Sequence, residues 1–97
     1  MRDAEFEWDD AKAAANALKH GVTFQEARRV FSDQQAFEFQ DDRTNYGEDR
    51  FIRVGLAGGR LLVVAVVNTE RDHRIRIISA KPAPRALREN TKKDPKL

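Results

Sequence analysis

Ninety-seven residues, 40% hydrophobic and 35% charged, suit one domain with a modest core. The absence of cysteine excludes disulfide scaffolds, thiolate metal sites and cysteine nucleophiles, and no apolar run approaches the length of a membrane span. The net charge of +2 hides a split: residues 1–49 hold 6 Lys/Arg against 12 Asp/Glu, and residues 50–97 hold 12 against 4. An arginine-rich second half points to an anionic partner, with internal ion pairing as the alternative. Met1-Arg2-Asp3-Ala4-Glu5 lacks the apolar core of a signal peptide, so a cytoplasmic location is expected.

Phe6-Glu7-Trp8 alternates and suggests an edge strand. Asp9 or Asp10 can cap the alanine-rich helix that follows, and Gly21 fits the left-handed position that ends it, after Lys19 and His20. Thr23-Phe24-Gln25-Glu26 spells a capping box, and Phe24, Ala27, Val30 and Phe31 recur at helical spacing. The period then falls to two. Phe37 and Phe39 alternate with Glu38 and Gln40, and a polar loop over 41–49 leads to a strand over 50–57. Gly58-Gly59 marks a hairpin, and Leu61–Val67, wholly apolar, reads as the central strand. Asn68–Asp72 is expected to turn the chain into a strand over 74–80, which Pro82 and Pro84 stop before a short basic helix at 85–89.

The fold class expected is α+β. Two N-terminal helices pack on an antiparallel sheet of about four strands, with a possible extra N-terminal edge strand and a short C-terminal helix. Residues 1–90 form the domain and 91–97 a flexible basic tail. The helix pair is expected on the face bearing Phe37, Phe39, Ile52 and Val54. The opposite face would then gather Glu38, Arg53, Arg74 and Arg76.

The chain resembles the BrnT-type toxins. The likeness runs from Phe6-Glu7-Trp8-Asp9, Lys12, Asn16 and Lys19-His20-Gly21-Val22 through Asp41-Asp42-Arg43 and Tyr46-Gly47-Glu48. It ends with Thr69-Glu70-Arg71 and Arg74-Ile75-Arg76-Ile77-Ile78-Ser79-Ala80. The resemblance implies a RelE-like fold and a metal-independent ribonuclease that arrests growth. It also implies a ribbon-helix-helix antitoxin of the BrnA type, with operator DNA bound only through that antitoxin. Lys81-Pro82-Ala83-Pro84, before the last helix, departs from the family pattern.

Cleaving RNA without a metal requires an aligned 2′-hydroxyl, donors for the phosphorane charge, and a route for two protons. The catalytic candidates are His20, Arg43, Glu70, Arg74 and Arg76, with Glu70 or His20 assisting proton transfer. Lys19, Tyr46, Arg50, Arg53, Arg71, Lys81 and Arg85 are candidates for RNA contact. Each has a plainer alternative: helix capping for His20, an ion pair with Asp41 or Asp42 for Arg43, pairing with Arg71 or Arg74 for Glu70. Trp8 reads as packing. Asp9-Asp10 and Asp41-Asp42 are adjacent pairs whose side chains diverge, so neither a metal nor another cofactor is expected. A nucleic-acid-binding module without chemistry and a pure protein-interaction domain are the competing readings.

Overall fold

The computed structural model describes residues 1–43 and 45–92. It contains five strands and three α-helices: β1 (Phe6–Glu7), α1 (Asp10–His20), α2 (Phe24–Arg28), β2 (Phe37–Gln40), β3 (Phe51–Leu56), β4 (Val63–Arg71), β5 (Arg74–Pro82) and α3 (Arg85–Lys92). A turn of 3-10 helix, Arg29–Ser32, extends α2. The strands form one sheet in the order β1-β5-β4-β3-β2. The α+β class is as expected, with four antiparallel strands and a β1 that runs parallel to β5. The last helix runs to Lys92, past the 85–89 expected for it, and residues 93–97 of the expected tail lie outside the described residues.

Local rules set the helix ends. Asp9 accepts from Lys12 N at 3.0 Å, and Gly21 takes φ 69° where α1 stops. Thr23 Oγ1 accepts from Glu26 N at 3.0 Å while Glu26 Oε1 accepts from Thr23 N at 2.9 Å, closing the capping box.

The α1–α2 layer covers the sheet face that carries Val64, Val66, Ile77 and Ala80, burying them against Trp8, Val22, Phe24 and Val30. This corrects the expectation that the helix pair covers Phe37, Phe39, Ile52 and Val54. Val54 and Ala65 are buried on the opposite face, against Ala83 and half-buried Phe37, Ile52 and Leu87, so α3 supplies that cover. The strand β3 shows why. On the α2 side it presents Arg53, whose guanidinium lies 5.1 Å from the Phe31 ring centroid, and Gly55. A Cβ on Gly55 would stand 2.8 Å from Ala36 Cβ and from Asp33 Oδ2, so the bare backbone is what lets this layer close down. Asp33 Oδ2 accepts from Leu56 N at 2.8 Å in that contact.

Two further expectations change. Leu61 is 96% exposed, and β4 begins at Val63. The chain does not turn at Asn68: β4 continues to Arg71, and Asp72 and His73 make a two-residue turn with φ of 50° and 64°. The apolar run still lies in the centre of the sheet, away from both edges.

The strand β1 pairs only with Ile75 and Arg76, which leaves the edge of β5 open beyond them. Asn16 of α1 closes it. Its buried amide donates to Ala80 O (2.7 Å) and Val22 O (2.9 Å) and accepts from Ala80 N (3.1 Å), acting as a one-residue strand.

Candidate functional site

Alternation along β4 and β5 places Arg71, Arg74 and Arg76 on the α3 side of the sheet, whereas Glu38, Arg53 and Glu70 line a hollow on the α2 side with Phe31 and Ile75. The single arginine face expected from the sequence is therefore divided between two faces. Arg74 and Arg76 share one, and Arg53 lies on the other, its Nε 3.2 Å from Glu38 Oε1.

On the α3 side, a cleft of about 230 Å³ is lined by Lys12, Arg50, Arg71, Arg76 and Asp9, with Ile77 and Ile78 between them. Four separate pieces of chain supply it. Because β1 is parallel to β5 with Glu7 beside Arg76, the chain leaving β1 carries Asp9 alongside Ile78 and starts α1 there. Lys12 follows on the first turn. Arg71 closes the end of β4, and Arg50 ends the loop before β3.

Carboxylates behind the cleft hold the arginines. Glu48 accepts from Arg50 Nε at 3.2 Å and Arg71 Nη2 at 3.1 Å. Glu7, a buried residue of β1, accepts from Arg76 Nη1 at 3.2 Å and Arg2 Nε at 3.2 Å. Burial pushes the Glu7 carboxyl up, but the Arg76 hydrogen bond and the charges of Arg2 and Arg76 more than offset it, leaving it below the usual carboxylate range. The hydrogen bond from Arg71 leads in lowering Glu48. The backbone bond from Lys12 leads in lowering Asp9. Each arginine spends one nitrogen on its carboxylate, so most guanidinium N–H groups remain free to meet a ligand.

Asp41, Arg43, Tyr46 and Arg50 form a built support. Asp41, with its side chain fully buried, receives Arg43 Nε (2.7 Å) and Nη2 (2.8 Å) and the Tyr46 hydroxyl (3.2 Å). These bonds, Arg43 first, hold the Asp41 carboxyl down to about 2. The Tyr46 ring so fixed lies 4.1 Å beneath the Arg50 guanidinium. Tyr46 thus serves Arg50 directly. The ion pair foreseen for Arg43 is present, and Arg43 and Lys81 line a second, smaller hollow of about 110 Å³.

The remaining candidates lie elsewhere. Arg74 Nε donates to Asp3 O at 2.7 Å, at the N-terminal segment. Lys19 and His20 end α1, and His20 is eight residues from Lys12, about 12 Å along the axis. Arg85 pairs with Glu89 on α3 at 3.2 Å. Lys12 and Asp9 line the cleft and Glu7 and Glu48 back its arginines without having been singled out from chemistry. The signal available for them was their place in the resemblance, between Phe6 and Lys12 and in Tyr46-Gly47-Glu48. Among the described residues no three His, Asp or Glu side chains gather as a metal site.

Residues 8–86 match the family described as "Ribonuclease toxin, BrnT, of type II toxin-antitoxin system". The chain belongs to this family. No curated protein sequence matches it significantly. Membership in the BrnT family makes the chain a ribonuclease toxin whose system includes an antitoxin partner. No helix among the described residues is long and apolar enough to cross a membrane.

Proposed function

We propose that this BrnT-family chain is a cytoplasmic endoribonuclease that cleaves RNA at the Lys12–Arg50–Arg71–Arg76 cleft without a divalent metal. Its growth-arresting activity would be silenced by a BrnA-like ribbon-helix-helix antitoxin, with operator DNA engaged only through that antitoxin. The observation that carries the reading is the convergence of four cations from separate pieces of chain on one concave surface, three of them held by carboxylates behind it. Bidentate guanidinium forks suit a phosphate, and rigidly backed donors stabilise the phosphorane better than mobile ones. The donor set, four cations and one carboxylate, is the wrong one for a divalent metal.

The 2′-oxygen attacks phosphorus, its proton passing to hydroxide or water. The 5′-oxygen leaves with a proton from the Lys12 ammonium or from solvent, giving a 2′,3′-cyclic phosphate. Catalysis is then mostly charge stabilisation, because neither histidine and not Glu70 reaches the cleft. That same observation favours a second reading, a binding module without chemistry. Labelled RNA incubated with purified chain in EDTA separates them: cyclic-phosphate products support the first, and intact RNA with retained binding supports the second.

A further inference from the structure

The smaller hollow beside the cleft bears on what RNA the cleft takes. It lies on the same sheet face, beneath α3, with Ile52, Val67 and Leu87 as its apolar walls. It adjoins the cleft along two chains. Ser79 of the hollow follows Ile78 of the cleft, and Ile52 of the hollow is two residues from Arg50, about 7 Å in extended chain. The step from cleft to hollow is therefore of the size that separates a phosphate from its own nucleotide's base.

The rim of the hollow is chemically one-sided. Its polar side chains are Arg43, Lys81 and Ser79, and no carboxylate lines it. Arg43 gives two of its five N–H groups to Asp41, which fixes the guanidinium plane, and the Tyr46 hydroxyl lies against it as well, so at most three N–H groups are left for a ligand. Lys81 is exposed and, like the Ser79 hydroxyl, makes no side-chain hydrogen bond or ion pair among the described residues. Both charged groups at this apolar slot can only donate.

We propose that the hollow seats a keto base, uracil or guanine, of the nucleotide whose phosphate occupies the cleft. Arg43 and Lys81 donate to O4 of uracil, or to O6 and N7 of guanine. These edges present acceptors, whereas cytosine and adenine present an amino donor at the corresponding position. An amino group held against Arg43 and Lys81 loses its water and gains no bond from either, and only the Ser79 hydroxyl could accept from it, so the slot disfavours it. The inference rests on the reading of the cleft as an RNA site. The competing occupant, an apolar side chain of the antitoxin, would use the walls and leave the rim idle.

The test uses the full chain and short 2′-O-methyl oligouridine and oligocytidine. These share one backbone, cannot be cleaved through the 2′-oxygen, and differ at the base edge in a carbonyl against an amino group. Fluorescence anisotropy should show oligouridine binding roughly tenfold tighter, with equal salt dependence for the two. Lys81→Gln should narrow the gap while melting with the parent chain, and Arg43→Lys should narrow it too, at some cost in Tm because it gives up one of the two hydrogen bonds to Asp41. Equal binding of the two oligonucleotides, or a gap unmoved by both variants, overturns the keto-base subsite. A chain that prefers oligouridine yet cleaves no RNA keeps the subsite and sinks the catalytic reading. Cleavage of RNA without any base preference in binding does the reverse.

Discussion

Replacing Arg76 by alanine tests the cleft and its support together, because Arg76 faces the cleft with some of its nitrogens and Glu7 with another. The Glu7 side chain is 7% exposed and Arg76 27%, so the ion pair is largely shielded from water. Breaking a buried pair costs about 3–5 kcal/mol when it strands a charge. Here Arg2 still reaches Glu7 Oε1 at 3.2 Å, although its own side chain is 65% exposed. The expected loss is therefore smaller, about 2 kcal/mol, which lowers Tm by roughly 8–16 °C for a domain of this size. Activity should fall further than stability explains. A charge-stabilising donor is worth about 10²–10³ in rate, so single-turnover cleavage at saturating RNA, well below Tm, should drop by that factor. The double variant Glu7→Gln/Arg76→Ala removes the stranded carboxylate and should regain most of the lost Tm without regaining turnover. If the double variant recovers both, Arg76 only holds β1 to β5, and the phosphate site belongs elsewhere.

Three other outcomes follow from the same structure. The cleft holds no histidine, and Asp9 is held below the usual carboxylate range, so the cleavage rate should climb with hydroxide between about pH 5.5 and 8 without a bend; a bell-shaped profile centred near the histidine pKa would bring His20 back. Asp41 is held at about 2 when folded against 3.8 when free, so its contribution to stability is complete above about pH 4 and is lost as pH falls from there toward 2. Asp41→Asn should erase at most about 2 kcal/mol of that acid limb in urea titrations, and an unchanged limb would show that Arg43 and Tyr46 do not hold the charge. His73→Gly should raise stability by about 0.5–1 kcal/mol, since φ of 64° strains a residue with a Cβ; a lower Tm would mean that the imidazole has a role in the turn.

What the sequence made legible was local. The capping box at Thr23 and the left-handed Gly21 each depend on a few neighbouring residues and one backbone geometry, and both are in place. The turn after β4 escaped because it is a two-residue turn made with Asp72 and His73 instead of Asn-Gly, so the residues that usually mark it were missing. The face assignment failed for a different reason. Alternation correctly marked Ile52 and Val54 as turned toward cover. It says nothing of which element provides that cover, and a chain with α1 and α2 before the sheet and α3 after it has two candidates. Gly55 was the available clue, since a glycine in mid-strand signals close approach of a neighbouring segment, here through the Asp33 and Ala36 side chains.

The charge split has a double meaning that only the fold resolves. Carboxylates of the acidic half pair with arginines of the basic half: Glu7 with Arg76, Glu26 with Arg60, Glu38 with Arg53, and Glu48 with both Arg50 and Arg71. Much of the +8 carried by residues 50–97 is therefore answered within the molecule. Yet the pairs are not equivalent. Glu26 and Glu38 hold Arg60 and Arg53 away from the cleft, where they fasten the β3–β4 hairpin and the β2 edge. Glu7 and Glu48 lie behind Arg76, Arg50 and Arg71 and leave the outward N–H groups unspent. An arginine without such backing would have to give up side-chain freedom when it met a phosphate, whereas these have already done so on folding. In the proposed reading the acidic first half is thus part of the anion site, and removing Glu48 should weaken the cleft's grip on phosphate even though it raises the local positive charge.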